Sequence, residues 1–275
     1  MHPAPLLLVV ALVSLTAACG PRPASAPAPD AVIAPERTAP PPYAAARQAA
    51  ERAAAIVAAP DRTPADRALD AGRHPEVMHL FYAIAPGMRV ASLGASTGNT
   101  TERLARAVGP ERTVYGHNTP FILERFAAEP WRERLEREAM ANVVRIDREF
   151  DDPLPADVRD LDAVFLVLFY HDTVWMKTDR ARMNEAIFAA LRPGGMFAVI
   201  DHSAAPGAGV SEAQRLHRIE ELVVVEEVQD AGFRLEDFAT FLPNPHCTRD
   251  WNSAPSAAGE RRGESDRFVL LFRKP

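Results

Sequence analysis

Apolar and polar positions are distributed in three ways along the chain. Leu6 to Leu15 is one short apolar run, followed by the small residues Thr16, Ala17 and Ala18 and then Cys19. From Gly20 to Pro42 proline and alanine dominate and charges are few. No apolar period is visible there, so the stretch cannot bury a core and reads as an extended tether. Tyr43 to Ala59 is rich in alanine and carries Arg47, Glu51 and Arg52, which predicts a helix ending near Pro60, either solvated or packed. Past Arg62, short apolar runs alternate with longer amphipathic stretches, the rhythm of βα units on a parallel sheet.

That rhythm predicts strands at Met88–Leu93, Thr113–His117, Asn142–Ile146, Asp162–Phe169, Met196–Asp201, Phe233–Phe241 and Arg267–Phe272. It predicts helices at about Thr100–Val108, Pro120–Glu138, Asp179–Leu191 and Leu216–Ala231. Pro120 suits a first helical position, where no amide hydrogen is needed, and Gly109-Pro110, Pro193-Gly194-Gly195 and Gly232 fall where helices should stop. The expected organisation is a signal segment over 1–19, a tether over 20–42, a helix over 43–61 and one α/β domain over 62–275.

With 275 residues, 47% hydrophobic and 25% charged, the chain is large enough for one sizeable core. A formal net charge of −6 argues against a nucleic-acid partner, which needs a basic face to release counterions. A small-molecule or protein partner is expected instead. Cys19 and Cys247 are too few for a disulfide framework. The N-terminal apolar run is too short to cross a bilayer and reads as a processing signal. It resembles a bacterial lipoprotein signal, in which cleavage leaves the cysteine, here Cys19, as the lipidated first residue. That resemblance implies a domain at the periplasmic face of a bacterial membrane, touching the membrane only through its lipid. A Sec-type or uncleaved signal is the alternative, and an unused signal would leave the chain in the cytoplasm.

Val90-Ala91-Ser92-Leu93-Gly94-Ala95-Ser96-Thr97-Gly98-Asn99-Thr100-Thr101 is an apolar strand running through a glycine-containing turn into a helix. In open α/β sheets such a first βα turn brings backbone close to a cofactor. Gly94 and Gly98 read equally well as tight-turn glycines without a ligand. Further on, Leu191-Arg192-Pro193-Gly194-Gly195-Met196-Phe197 closes a helix and opens a buried strand ending at Asp201. This phrase, with Ala231-Gly232-Phe233 and the last strand Arg267-Phe268-Val269-Leu270-Leu271-Phe272, resembles class I S-adenosylmethionine-dependent methyltransferases. The resemblance implies a Rossmann-like fold with a seven-stranded, mostly parallel sheet, an antiparallel last strand and helices on both faces. Tyr170-His171-Asp172-Thr173-Val174-Trp175, Asp201-His202-Ser203-Ala204, Leu216-His217-Arg218-Ile219 and Asp266-Arg267-Phe268 are similar to a group of bacterial predicted methyltransferases, as are Arg62, Pro64, Asp66 and Arg67. The group carries no substrate class.

By this resemblance Ser92, Gly94, Ser96, Gly98 and Asn118 would hold S-adenosylmethionine. Ser92 stands where the family has an acidic residue, and Ser96 where it has a loop glycine. Losing one charge-assisted hydrogen bond costs about 1.5–3 kcal/mol, roughly ten- to a hundredfold in affinity. Asn118 replaces the usual acidic residue at the end of the second strand and can still bond a ribose.

The polar cluster is the sharper lead. His171 and Asp172 follow the fourth strand, Asp201 and His202 end the fifth, and His217-Arg218 lie in the next crossover, so the fold gathers these six candidate catalytic residues at one sheet edge. Such groups act as acid and base or bind a divalent ion. Metal-dependent catechol-type O-methyltransferases place carboxylates similarly, and by that analogy Asp172, Asp201 and His202 would hold the ion. Alternatively the histidines cap strand ends and bond one another. Trp131, Trp175 and Trp251 line a pocket or pack a core. The charges of Arg132 to Glu138 read as a solvated helix face. Asn244 to Glu264, which contains His246 and Cys247, is long enough for a mobile lid, with plain disorder as the alternative.

Three readings result. The first is a small-molecule methyltransferase in which His171 or His202 deprotonates the acceptor, with Asp172, Asp201 and His217 facing it. The second is an exported, non-catalytic ligand-binding domain of the same fold. The third is a metal-dependent enzyme that uses the cluster without a sulfonium cofactor.

Overall fold

The computed structural model describes residues 42–275; Cys19, the signal and all of the tether but Pro42 lie outside the described residues. Seven strands form one sheet in the order β3-β2-β1-β4-β5-β7-β6. They are β1 Val90–Leu93, β2 Val114–Asn118, β3 Val143–Asp147, β4 Leu161–Val167, β5 Leu191–His202, β6 Arg234–Phe238 and β7 Arg267–Arg273. Strands β1 to β5 run parallel, β7 runs antiparallel to β5, and β6 antiparallel to β7. All seven expected strands are present. The central ones carry side chains buried on both faces, as a sheet covered by helices requires, whereas the edge strands β3 and β6 are largely exposed.

Before β1 come α1 Pro42–Ala58, α2 Pro64–Ala68, α3 Asp70–Arg73 and α4 Pro75–Phe81. Helix α1 packs against α4 and buries Ala53, so the N-terminal helix is packed. Thr63 caps α2, its hydroxyl accepting from the Asp66 amide at 3.1 Å. Helix α5 Asn99–Val108 follows β1. The expected helix after β2 divides into α6 Pro120–Ile122, a π-helical turn Leu123–Ala127 and α7 Ala128–Leu135. After β4 come α8 Tyr170–Trp175 and α9 Arg180–Ala190, and after β5 come α10 Ala213–Leu216 and α11 Glu221–Asp230.

The single helix expected over Leu216–Ala231 is broken. His217 turns left-handed (φ 52°, ψ 52°), and Ile219 joins the end of β5, donating its amide to His202 O at 3.0 Å and accepting from the Ala204 amide at 2.9 Å. Pairing with the sheet outcompetes helix continuation at these residues.

One core cluster, with Leu93, Val164, Leu166, Phe197 and Val199, packs against α9 and α11; the other, with Val90, Phe165, Ala198 and Ile200, packs against α4 and α5. Because the chain runs outward from β1 to β3 and then returns to place β4 beside β1, the loops after β1 and β4 face each other across a topological switch point.

Candidate functional site

The loop after β1 is held in a tight left-handed path by Gly94 (φ +59°), Ser96 (φ +53°) and Gly98 (φ +88°). Serine is uncommon at positive φ. Here Asn118 clamps it, accepting from the Ser96 amide at 2.7 Å and donating to Ser96 O at 3.1 Å. The amide of Ala95 donates to His117 O at 2.8 Å, and that of Gly98 to Ala95 O at 2.8 Å. Thr101 Oγ1 donates to the buried Ser92 hydroxyl at 3.0 Å. A Cβ at Gly94 would stand 2.7 Å from the Phe169 ring, and one at Gly98 2.5 Å from the Trp131 ring. Left-handed backbone and close packing against aromatic side chains together account for both glycines.

Arg134 locks the same loop from outside. Its Nε donates to Thr97 O at 2.5 Å, and Nη1 donates to Asp66 Oδ2 at 2.8 Å and Glu102 Oε2 at 2.6 Å. Asn99 Nδ2 adds a bond to Asp66 Oδ1 at 2.8 Å. Burial pushes the Asp66 carboxyl up, but Arg134 and Asn99 outweigh it and hold the pKa at about 2.

The ends of β4 and β5 gather the polar cluster. Asp201, fully buried, accepts from His171 Nδ1 at 2.6 Å and from the backbone amides of His171 and His202, each at 2.7 Å. These bonds turn His171 Nε2 towards Asp172 Oδ1 at 3.2 Å and His217 Nδ1 at 3.2 Å, and those two atoms are themselves 3.2 Å apart. Trp175 Nε1 donates to Asp172 Oδ1 at 2.8 Å. Burial lowers the His171 pKa, but Asp201 and Asp172 more than reverse that and raise it to about 10. Asp172 is pushed up by burial, but His171 and His217 hold it below the usual carboxylate range. The side chain of His217 is 25% exposed and forms the open side of the cluster.

The alternation of β5 sends His202 to the other face of the sheet. Its Nδ1 lies 2.7 Å from Ser265 Oγ, and burial holds its pKa well below the ordinary value. On that face Arg267 pairs in register with His202, and buried Arg103 leaves Nε and Nη1 without partners among the described residues. Burial, then repulsion from neighbouring guanidinium groups (Arg262 for Arg73, Arg73 and Arg62 for Arg103, Arg73 for Arg267), brings Arg73 down to about 10, Arg103 to about 9 and Arg267 to about 10.

The expected lid instead packs onto the cluster. Ser253 Oγ donates to His217 O at 2.7 Å, and Trp251 lies under the Arg218 guanidinium at 4.8 Å. Arg218 is fully buried and donates to Ser203 O at 3.1 Å and Trp251 O at 3.1 Å, so it positions the strap rather than reaching a substrate. Trp131 is core and Trp175 belongs to the site.

No protein-family model matches the chain, and no curated protein matches it in sequence. Solved structures do. An S-adenosylmethionine-dependent methyltransferase from Aquifex aeolicus aligns at TM-score 0.52 and 16% identity, covering 73% of this chain and 89% of its own. A candidate sarcosine dimethylglycine methyltransferase from Galdieria sulphuraria aligns at 0.52 and 17%, covering 76% and 85%. The [4+2]-cyclase SpnF aligns at 0.50 and 17%, covering 74% and 81%. The fold is that of class I methyltransferases. At such identities the likeness concerns the fold, and one class I methyltransferase fold among these neighbours is named for a cyclisation.

The residues at the cofactor position of this methyltransferase fold do not fit S-adenosylmethionine as they stand. Phe169 covers Gly94, and Phe150 packs against Phe169 and the His117 ring, with centroids 6.2 and 5.1 Å away. Asn118 is fully buried with its amide group spent on Ser96, and Ser92 offers no charge. The expected metal set is also regrouped. Asp201 spends its oxygens on His171 and on two amides, and His202 turns to Ser265, leaving Asp172 with His171 and His217. Sequence reasoning missed Ser253, Ser265, Arg73 and Arg103, and the solvated face expected over Arg132 to Glu138 is corrected at Arg134, which turns inward to Asp66, Glu102 and Thr97; these roles depend on contacts between segments far apart in the chain.

Proposed function

We propose that the chain is an enzyme acting on a small molecule that carries an anionic group, with the histidine–aspartate cluster at the ends of β4 and β5 as its reacting centre. The observation that carries this reading is the convergence of His171 Nε2, Asp172 Oδ1 and His217 Nδ1, each 3.2 Å from the other two, at the carboxyl edge where α/β folds hold their ligands. Groups so placed can hold and activate a hydroxyl or a water molecule. The incompletely paired guanidinium of Arg103, on the opposite face of the sheet from the cluster, supports an anionic substrate group, because a buried donor without an acceptor costs about 1–3 kcal/mol.

The second reading is methyl transfer from S-adenosylmethionine to a small molecule. The fold and the left-handed path of Gly94, Ser96 and Gly98 favour it. It needs the Phe169 ring to leave Gly94 and Asn118 to release Ser96. The apolar run before Cys19 supports an exported, lipidated protein; a diacyl or triacyl mass on Cys19 in the membrane fraction is expected, and an intact Met1 would overturn it.

Calorimetric titration of the full-length protein separates the two functional readings. No heat with S-adenosylmethionine or S-adenosylhomocysteine up to millimolar concentration is the expected result, and micromolar binding hands the function to methyl transfer. A thermal-shift panel of small carboxylates and phosphate monoesters should give stabilising ligands whose effect is lost in Arg73→Met. A panel without a single stabilising anion removes the anionic-substrate reading.

A further inference from the structure

We propose that His171, Asp172 and His217 bind one first-row divalent metal ion, with Asp201 as the carboxylate that orients His171. The inference deepens the reading above and rests on it for placing the chemistry at this cluster.

The geometry of the three donor atoms comes first. Ligands about 2.0–2.2 Å from a tetrahedral or octahedral ion stand roughly 3.0–3.5 Å from one another. The separations between His171 Nε2, Asp172 Oδ1 and His217 Nδ1 are all 3.2 Å. With Nδ1 donating to Asp201, His171 turns Nε2 to the acceptor Asp172 Oδ1, and the proton between those two atoms occupies the place a divalent ion would take on displacing it. A second imidazole nitrogen, His217 Nδ1, stands equidistant from both and completes a three-donor set around that position.

The groups behind the donors match what metal sites use. Ligating imidazoles commonly donate their other nitrogen to a carboxylate, and ligating carboxylates are themselves hydrogen-bonded. Asp201 supplies the first of these at 2.6 Å, and Trp175 Nε1 the second at 2.8 Å. Asp201 is in turn fixed by two backbone amides. The backbone adds an independent sign. His217 is held left-handed at φ 52°, and Leu168, just beyond β4, at φ 60°. Such strain in non-glycine residues persists only where the surroundings enforce it, and here Ser253 Oγ fastens the His217 carbonyl at 2.7 Å.

Two imidazoles and one carboxylate suit Zn²⁺, Fe²⁺ or Mn²⁺ better than Mg²⁺ or Ca²⁺, which prefer oxygen. Three protein ligands leave coordination open for water or a substrate oxygen, the mark of a catalytic rather than a structural site. The exposed part of His217 gives the ion a way in. A bound ion would acidify a coordinated water or hydroxyl.

The test uses full-length protein stripped with a chelator and titrated with Zn²⁺, and separately with Co²⁺ as a visible-absorption probe. One equivalent per chain with tetrahedral or five-coordinate Co²⁺ bands is expected. Asp172→Asn and His217→Asn should abolish stoichiometric uptake; asparagine tolerates the left-handed backbone at 217, so that variant should keep its fold, checked by circular dichroism. Asp201→Asn should weaken binding about ten- to a hundredfold, and His202→Gln should leave it unchanged. Absence of stoichiometric uptake overturns the proposal, as does uptake that survives in His217→Asn or disappears in His202→Gln. The anion panel reads the substrate proposal separately: stabilising anions without metal uptake would retain the reacting centre and remove the ion.

Discussion

Replacing Asp66 with asparagine tests whether the loop after β1 is locked by charge. Asp66 faces Arg134 and Asn99 with a pKa of about 2, against an ordinary value of 3.8. Asparagine imitates the protonated acid, so its cost at neutral pH is the work of protonating Asp66 in the folded protein in excess of that in the unfolded chain. A difference of about 1.8 units at about 1.4 kcal/mol per unit gives about 2–2.5 kcal/mol. In a domain of this size that lowers Tm by roughly 4–8 °C. The sign with pH is fixed by the lowered pKa. Above about pH 4 the aspartate is ionised in both folded and unfolded chains and contributes fully, and the contribution is lost as pH falls from about 4 to 2. Urea unfolding of both proteins from pH 7 to pH 2.5 should give a gap of about 2–2.5 kcal/mol that narrows below pH 4. A constant gap, or none at pH 7, would refute the electrostatic lock.

Gly94→Ala should destabilise by about 2–4 kcal/mol through its left-handed backbone and the Phe169 ring, and combining it with Phe169→Ala should recover about 1 kcal/mol of coupling, read by a denaturation double-mutant cycle. Gly98→Ala, whose Cβ would meet the fully buried Trp131, should cost at least about 2 kcal/mol more than Gly87→Ala, where φ is +91° but no atom lies within 4 Å; equal losses would show that backbone strain alone matters. Ser253→Ala should cost about 1 kcal/mol and speed amide exchange at 217–220, and unchanged exchange would detach the strap from the His217 turn.

The central strands were legible because each is a buried apolar run bounded by turn residues, and the exposed edge strands β3 and β6 followed from the βα rhythm. The site was legible only as a location. Chain position puts His171, Asp172, Asp201, His202 and His217 at one edge, but which pairs meet depends on strand alternation and on the break at His217. A periodicity argument reads Leu216–Ala231 as one helix, because nothing local announces that Ile219 will join β5. The departures at Ser92 and Ser96 were visible in the sequence. Their consequence was not, since Thr101, Asn118 and Phe169, which occupy the space, come from three different elements.

The antiparallel pairing of β5 with β7 extends in unbroken register from Met196↔Arg273 to His202↔Arg267. Side chains alternate along a strand, so a slip by one residue would exchange the faces of Asp201 and His202. It would send a carboxylate to Ser265 and the arginines, and leave His171 facing an imidazole. The register of the C-terminal strand thus determines where the negative charge of the reacting centre lies, although β7 contributes no side chain to that centre.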